Sequence, residues 1–476
     1  MSYIFGQAIV MLTLSKSKSF NAEYIFLALF YIYLFLLPLP LGSNQVWSWS
    51  ISHIYIFSLL LCYGFLFWPK IKGSLHDFKF TIIVFTCIVF WLVVQLLPIP
   101  ISFLQLISPH SADAYLAIGN KVGSISLDSK ATLSALLKLI NYISVFVIGL
   151  NLLCSPKRIK ACLLFIVISG TYNGFYGAFE MLSGQDTSLI FGTENGHRAS
   201  GTFTYHNHFA NFLMLCLSAG LGYFIASLTN ITYNSKLDYV KSWLFAILDT
   251  KTIVRLGLTI MVIALVMSHS RMGNTAFFVS LMVVSFLYIL IGQKVPKGFK
   301  LLIVSMLIID VFVVSAWFGL DKVKERLEGT SIENETRDEV ILDGLEVVKD
   351  YPLTGSGAGS FRAVFSSYQS ENVRLTYNRA HNDYLQFAIE YGVPSLLLLG
   401  VLIAHIIKRC IYVLHKVPDK YIVGGAAACL MAIVGMLIHM SVDFPLLSHA
   451  NSVYFLLLIS IGYCSSRYLP DNVTSN

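Results

Sequence analysis

Four polar clusters interrupt the long apolar stretches of this sequence, and they hold the residues best suited to chemistry. They are 197–208 with Arg198, 268–273 with Arg271, Arg337 with the glycine-rich stretch 355–359, and 379–390 with His381. An arginine presents a planar fork of donors that matches two phosphate oxygens. Histidine titrates near neutral pH without a large shift of its pKa, which suits a general base. The pattern therefore indicates phosphate binding beside a proton acceptor.

Each of these residues also has a purely structural interpretation. Arg198 and Arg271 either clamp a lipid diphosphate together, or they cap helix ends and bind phospholipid headgroups. His381 is either a base or a packed histidine that is hydrogen-bonded to a neighbouring carbonyl. The adjoining Asn382 and Asp383 favour the base, because they make a dense polar patch on an otherwise apolar segment.

Three histidines in the first cluster raise the question of a metal. His197, His206 and His208 are close in sequence, but the same loop offers only Asp186 and Glu194 as carboxylates. Their spacing imposes no ligand geometry. We therefore expect neither a metal nor another cofactor.

Two carboxylates stand in apolar surroundings. Asp310 lies in the middle of the ninth apolar run, and Glu180 lies near the outer end of the fifth. A buried carboxylate either relays protons in a transporter or is neutral and hydrogen-bonded within a helix bundle. We favour the second interpretation for Asp310.

The apolar stretches are too long and too numerous for a soluble protein. The chain is 56% hydrophobic and 12% charged, whereas ordinary soluble domains are about 25% charged. A helix that crosses a bilayer needs roughly 17–25 apolar residues, and within lipid each backbone polar group needs a partner in its own segment. The sequence predicts an all-α polytopic membrane protein with about twelve spans. The runs are 24–41, 51–68, 80–97, 131–153, 158–181, 207–227, 253–268, 274–291, 300–318, 394–409, 420–441 and 450–466.

The basic residues predict the orientation of these spans. With both termini in the cytoplasm, 20 of the 33 Lys and Arg residues fall in cytoplasmic segments, as the positive-inside rule requires. The chain then divides into spans one to nine (1–318), a large outer loop (319–393), and spans ten to twelve with a short tail (394–476). The eight cysteines lie in or beside spans, and we expect no disulfide framework among them.

The large outer loop has the pattern of a folded segment. Asn334–Lys349 reads as a helix, 355–359 as a tight turn, and Ser360–Tyr368 as a second helix. The stretch from Arg379 leads into a short helix that ends at 392–394. We expect these helices to pack on the outer ends of the spans and to enclose a cavity at the outer leaflet.

Taken in order, these motifs resemble the O-antigen ligase and polymerase superfamily. His381-Asn382, followed after nine residues by Gly392, is similar to its hallmark loop. Arg198-Ala-Ser-Gly-Thr-Phe and Ser270-Arg271-Met-Gly are similar to its two arginine motifs. The resemblance runs from about residue 130 to 460. It also includes Arg337 with the Asp350-Tyr351-Pro352 pattern and the sequence Ser441-Val442-Asp443-Phe444-Pro445-Leu446.

The resemblance implies an inverting glycosyltransferase of the GT-C type that uses no metal. Its donor would be a glycan on undecaprenyl diphosphate. Its active site would lie at the periplasmic face of the bacterial inner membrane. Arg198 and Arg271 would bind the diphosphate, and His381 would accept the proton of the acceptor hydroxyl. Arg337 would orient the loop or bind phosphate, with Asn382 and Asp383 among the substrate-binding residues. Nucleic acid would not be a partner.

Several functions share these features. A ligase would transfer finished polysaccharide to lipid A-core or a similar acceptor, whereas a polymerase would use another lipid-linked repeat unit for O-antigen or exopolysaccharide. Protein O-glycosylation is a third variant. A transporter or lipid flippase is a different class, supported mainly by Asp310 and opposed by the lack of internal repeats. Glu180 and Ser395 depart from the family pattern, which leaves the acceptor open.

Overall fold

The computed structural model describes residues 22–185, 187–192, 198–227, 250–293, 295, 332–371, 373 and 376–470. This part of the chain is almost entirely helical. Its α-helices are α1 (Ala22–Leu36), α2 (Val46–Asp77), α3 (Lys79–Leu96), α4 (Ile101–Ile107), α5 (Pro109–Ala117), α6 (Ser129–Leu152), α7 (Pro156–Leu182), α8 (His206–Ser227), α9 (Thr250–Met267), α10 (Arg271–Ile291), α11 (Ile332–Asp350), α12 (Phe361–Phe365), α13 (Asp383–Tyr391), α14 (Val393–Lys416), α15 (Lys420–His439) and α16 (His449–Ser466).

Eight of the described helices are long and apolar enough to cross a membrane: α2, α3, α6, α7, α8, α10, α14 and α15. Two shorter apolar helices, Ala22–Leu36 and Thr252–Met267, coincide with the first and seventh predicted runs. The helix α16 coincides with the twelfth run. The ninth run, with Asp310, lies outside the described residues, so the number of twelve spans remains a prediction.

The centre of the bundle is the contact between α8 and α15. Every residue in the apolar window of α8 is buried. A Cβ atom added to Gly222 would lie 2.3 Å from the carbonyl oxygen of Gly424, and one added to Gly424 would lie equally close to Gly222. The two backbones therefore approach as closely as small residues allow, which is the usual way membrane helices gain packing energy.

At one end of the bundle, basic residues gather around Glu23. Its carboxylate pairs with Lys70 of α2 and, at 3.2 Å, with Arg158 of α7. At this end a disulfide also joins Cys154 to Cys464, whose Cα atoms are 4.7 Å apart. The expectation that no cysteines pair was wrong, because only the packing of α6 against α16 brings these two residues together.

The opposite end carries the large loop, which has its own apolar core. The helices α11, α12 and α13 pack through buried side chains that include Val340, Val347, Phe361, Leu385 and Ile389. The predicted helices at 334–349 and 360–368 are confirmed, although the second is shorter than expected. One departure from an all-helical fold is a pair of two-residue antiparallel strands, β1 (Ile99–Pro100) and β2 (Val122–Gly123).

Gln95, at the end of α3, helps to attach the glycine turn of the loop to the spans, together with Thr132 of α6, which donates to the Ala358 carbonyl at 2.8 Å. The Gln95 amide donates to the carbonyls of Thr354 and Glu390, at 2.9 and 3.0 Å, and accepts from the Ala358 N–H at 3.1 Å. Gly355 and Gly392 have φ angles of +65° and +82°. An added Cβ would come within 2.4 Å of the Glu390 carbonyl in one case and 2.3 Å of the Leu353 carbonyl in the other. Only glycine fits both positions.

Candidate functional site

Arg198 lies at the loop end of the bundle, just before α8. Its guanidinium Nη1 donates to Nε2 of His206 at 3.1 Å, and the side chain is exposed. Because a guanidinium has no acceptor, Nε2 must accept, which places the proton of neutral His206 on Nδ1. The next residue, Ala199, donates its backbone N–H to the Met267 carbonyl at 3.0 Å. The arginine segment is therefore fixed to the end of α9.

Arg271 is the first residue of α10, directly after that same end of α9. Ser270 caps the helix by accepting the Gly273 N–H at 3.2 Å, and Arg271 itself is exposed. A Cβ atom added to Gly273 would lie 2.6 Å from the Cβ of Ala210, so α10 starts directly against the first turns of α8. The segment that precedes α8 and the start of α10 thus carry the two predicted phosphate-binding arginines, and both adjoin the end of α9.

One aromatic ring connects the arginine segment to the histidine of the large loop. Phe444 stacks on Tyr205 with ring centroids 5.6 Å apart and planes 5° apart. The ring of His381 meets Phe444 edge to face at 4.8 Å, and His208 does the same at 5.0 Å. Tyr205 in turn contacts His206, the partner of Arg198, at 5.0 Å. We call Phe444 and these aromatic neighbours the Phe444 cluster.

The backbone holds His381 in an unusual conformation. Its φ is +50°, in the left-handed region that costs a non-glycine residue of order 1–3 kcal/mol. The next residue, Asn382, caps α13 by accepting the Leu385 N–H at 3.0 Å and donates to the Ser441 carbonyl at 2.9 Å. The Asp383 N–H donates to the Met440 carbonyl at 3.0 Å. The start of α13 is thus joined to the turn that follows α15.

Asp383 is fully buried at this junction. Its Oδ2 accepts the Leu446 N–H at 3.0 Å, and its Oδ1 has no hydrogen-bond partner among the described residues. Burial raises the pKa of Asp383 well above its usual range, and Asp443 and Glu390 add to that effect against the Leu446 hydrogen bond and Arg379. The neutral carboxylic acid is therefore favoured.

Arg337 lies in α11, but its side chain falls outside the described part of the chain. The helix itself is well placed: a Cβ added to Gly344 would lie 2.9 Å from Leu385 of α13. Among the described residues, no group of three or more His, Cys, Asp and Glu side chains is arranged to hold a metal. His197, Asp186 and Glu194, which entered the metal argument, are not described.

Phe444 belongs to the 441–446 motif and Tyr205 to the 197–208 cluster, but neither residue is assigned a role from the sequence. Their position beside polar residues, at the outer ends of predicted spans, is the sequence feature that could have marked them as part of the site. Arg379 was likewise only the first residue of a stretch, yet it lies within electrostatic reach of both Asp383 and Glu390. The contacts themselves join segments far apart in sequence, and periodicity carries no information about them.

The family model described as O-antigen ligase matches residues 256–400. This region is similar to O-antigen ligases. The matched residues include α10, the large loop and the start of α14, and therefore Arg271, Arg337 and His381. Arg198 and Phe444 lie outside it. A search among curated proteins finds no match to the chain.

The match to this family model supports the predicted superfamily and a function of the ligase and polymerase type. It implies a lipid-linked glycan as substrate and a place in a membrane. The eight apolar helices of spanning length agree with that place.

Proposed function

We propose that this protein transfers a glycan from undecaprenyl diphosphate to an acceptor hydroxyl, as an O-antigen ligase does, at the periplasmic face of the inner membrane. One observation carries the proposal: the Phe444 cluster links His381 to the Arg198–His206 pair at the loop end of the bundle. This arrangement supports a site in which Arg198 would bind phosphate and His381 would accept a proton at the same end of the bundle.

In the proposed reaction, the acceptor oxygen attacks the anomeric carbon as the bond from that carbon to the diphosphate oxygen breaks. The sugar inverts, the diphosphate leaves with both electrons of the broken bond, and the acceptor proton passes to His381. Negative charge therefore grows on the leaving group, where Arg198 and Arg271 would stabilise it. Donors placed in advance at such a position are worth more than flexible ones, because they need no reorganisation during the reaction.

The conformation of His381 supports its role as the base. A left-handed histidine persists only where its neighbours fix it, and such strain gathers at functional sites. Here the cap by Asn382 and the ring of Phe444 fix it from two sides. We assign Asn382 and the buried Asp383 to positioning this turn, and we keep Arg337 as a secondary phosphate ligand.

The decisive experiment is glycan transfer by the purified protein from undecaprenyl-diphosphate glycan, in the presence of EDTA. His381→Ala should lower the rate by about 10²–10⁴-fold, the usual contribution of a general base. His110→Ala is the matched control, because His110 is a half-exposed histidine of the same outer region, 3.5 Å from Asp350. Normal transfer by His381→Ala, with the control also normal, would refute the assignment of the base.

Experiments in cells distinguish the possible acceptors. In a deletion strain, loss of all long chains on lipid A-core indicates a ligase, whereas a single repeat unit on core indicates a polymerase. Unchanged surface polysaccharide together with a defect in lipid export would instead favour a flippase. The double variant Arg198→Ala, Arg271→Ala should reproduce the deletion, and full complementation by it would remove the diphosphate clamp from the mechanism.

A further inference from the structure

A cavity lies between the spanning helices and the large loop, and Arg379 and Leu446 are among its lining residues. It encloses about 860 Å³ between α3, α6, α14 and α16, within the range of roughly 300–1,000 Å³ typical of ligand sites. Its walls are mostly apolar and come from helices of spanning type. They include Phe85, Ile88, Leu139, Leu399, Ile403 and Phe455.

This cavity is open toward the side of the bundle. Leu397 and Val401 of α14 line it, and they are 65% and 54% exposed. Because α14 has the length and composition of a membrane span, an opening along it would face hydrocarbon chains. A molecule could therefore enter from the bilayer without passing through water.

Polar groups from α6 and the large loop also line the cavity, and two of them are cations. Lys138 and Arg379 both contribute to the lining and lie close enough to interact electrostatically. Within the described residues, neither forms an ion pair with a carboxylate. The Lys138 ammonium lies over the face of Trp49, 4.9 Å from the ring centroid.

The carboxylate of Glu390 also lines this cavity, and its oxygens already accept hydrogen bonds from other groups of the protein. It accepts the N–H groups of Gly359 and Phe361, at 2.8 and 3.3 Å, and the amide of Gln386 at 3.0 Å. Burial raises its pKa, against the hydrogen bond from Gly359 and the charge of Arg379. The polar end of the cavity therefore has an excess of positive charge, which is costly in an apolar setting without an anion.

We propose that this cavity binds a phosphate-bearing lipid, with the phosphate between Lys138 and Arg379 and a hydrocarbon chain along α14. Arg198, Arg271, His381 and Phe444 of the proposed transfer site do not line this cavity, whereas Arg379, Gln386 and Glu390 of the neighbouring 379–390 segment do. The proposal does not depend on the transferase assignment. The phosphate can belong to a diacyl phospholipid of the bilayer or to a polyprenyl phosphate, since both offer the same anionic group on an apolar chain.

The test is native mass spectrometry of the whole protein in a neutral detergent, titrated separately with phosphatidylglycerol, undecaprenyl phosphate and diacylglycerol. At least one phosphate lipid should bind, and the neutral diacylglycerol should not. The lipid that binds more tightly identifies the source. Lys138→Gln and Arg379→Gln should each weaken binding about tenfold or more, the usual effect of losing a charged hydrogen bond.

Arg362→Gln is the matched control for charge, because Arg362 is exposed in the same loop and does not line the cavity. A second pair of variants tests the apolar part. Gly400 lines the cavity and Gly73 does not, and a Cβ added at either has no atom within 4 Å. Gly400→Phe should fill the cavity and block binding, whereas Gly73→Phe should bind as the natural protein does.

Equal binding of diacylglycerol and the phosphate lipids, or unchanged binding in Lys138→Gln and Arg379→Gln, would overturn the proposal. So would unchanged binding in Gly400→Phe. Each variant is first checked for a cooperative thermal transition in detergent. A variant that fails to fold is replaced by Lys138→Met or Arg379→Met, which remove the charge and keep an unbranched, flexible side chain.

Discussion

Phe444 offers the sharpest test of how this site is assembled, because one ring contacts both halves of it. Phe444→Leu keeps an apolar side chain but removes the stacking on Tyr205 and the edge contacts with His208 and His381. Aromatic pairs contribute about 0.5–1.5 kcal/mol each beyond burial. The three contacts together are therefore worth about 1.5–4.5 kcal/mol, minus what the leucine recovers.

We expect part of this loss to appear as a slower transfer rate, because His381 would no longer be fixed relative to the Arg198 segment. A displacement of about 1 Å can cost about 10²-fold in rate, and each tenfold corresponds to about 1.4 kcal/mol. The predicted decrease in kcat is therefore about 10- to 100-fold for Phe444→Leu. The KM for a soluble acceptor analogue should change less, because Phe444 is not assigned to acceptor binding.

The assay is steady-state transfer in detergent, with Phe26→Leu as the matched control. Phe26 makes edge contacts with Tyr63 and Phe67 at 5.3 and 6.0 Å, at the opposite end of the bundle. That variant should lose stability and retain the rate. A double-mutant cycle of Phe444→Leu with Tyr205→Leu should give a coupling energy of about 0.5–1.5 kcal/mol. A normal rate in Phe444→Leu, or an equal loss in both variants, would refute this account of the site.

Three further predictions follow from the same geometry. Arg198→Lys should lower the transfer rate about tenfold or more, because an ammonium cannot bind two phosphate oxygens side by side. The control variant Arg362→Lys should have no effect. Equal rates in the two variants would contradict the diphosphate clamp. The pKa of Asp383 is higher in the folded protein than its unfolded value of about 4. The stability that this group contributes is therefore fully present below about pH 4, and it is lost as the pH rises through the folded-state pKa. The thermal midpoint of the natural protein should accordingly fall relative to that of Asp383→Asn as the pH rises above about 4. Parallel curves would show that the carboxyl does not titrate. Gln95→Leu removes the Gln95 partner of the Thr354 carbonyl and of the Ala358 N–H, each worth about 1–3 kcal/mol, whereas the Glu390 carbonyl keeps the Gly357 N–H. Limited proteolysis should therefore cut the large loop faster, whereas a variant at the exposed Gln105, Gln105→Leu, should be cut at the normal rate. Identical cleavage of both would mean that Gln95 does not hold the loop.

The sequence alone determined where the helices are. Eleven of the twelve predicted apolar runs coincide with described helices, because a backbone in lipid has to satisfy its hydrogen bonds within one segment. Ser270 and Asn382 cap their helices by accepting the N–H three residues later, an interaction that depends on residue type and local sequence. The polar clusters between the helices were therefore predictable as sites of chemistry.

Tertiary structure decided which of those residues meet. Phe444 joins Tyr205 and His381, Cys154 pairs with Cys464, and the cavity brings together Lys138 and Arg379. Apolar periodicity says which residues avoid water, but in a bilayer lipid and a neighbouring helix are both apolar, so it does not say which helices touch. That choice depends on close packing, such as Gly222 against Gly424, which only the folded bundle reveals.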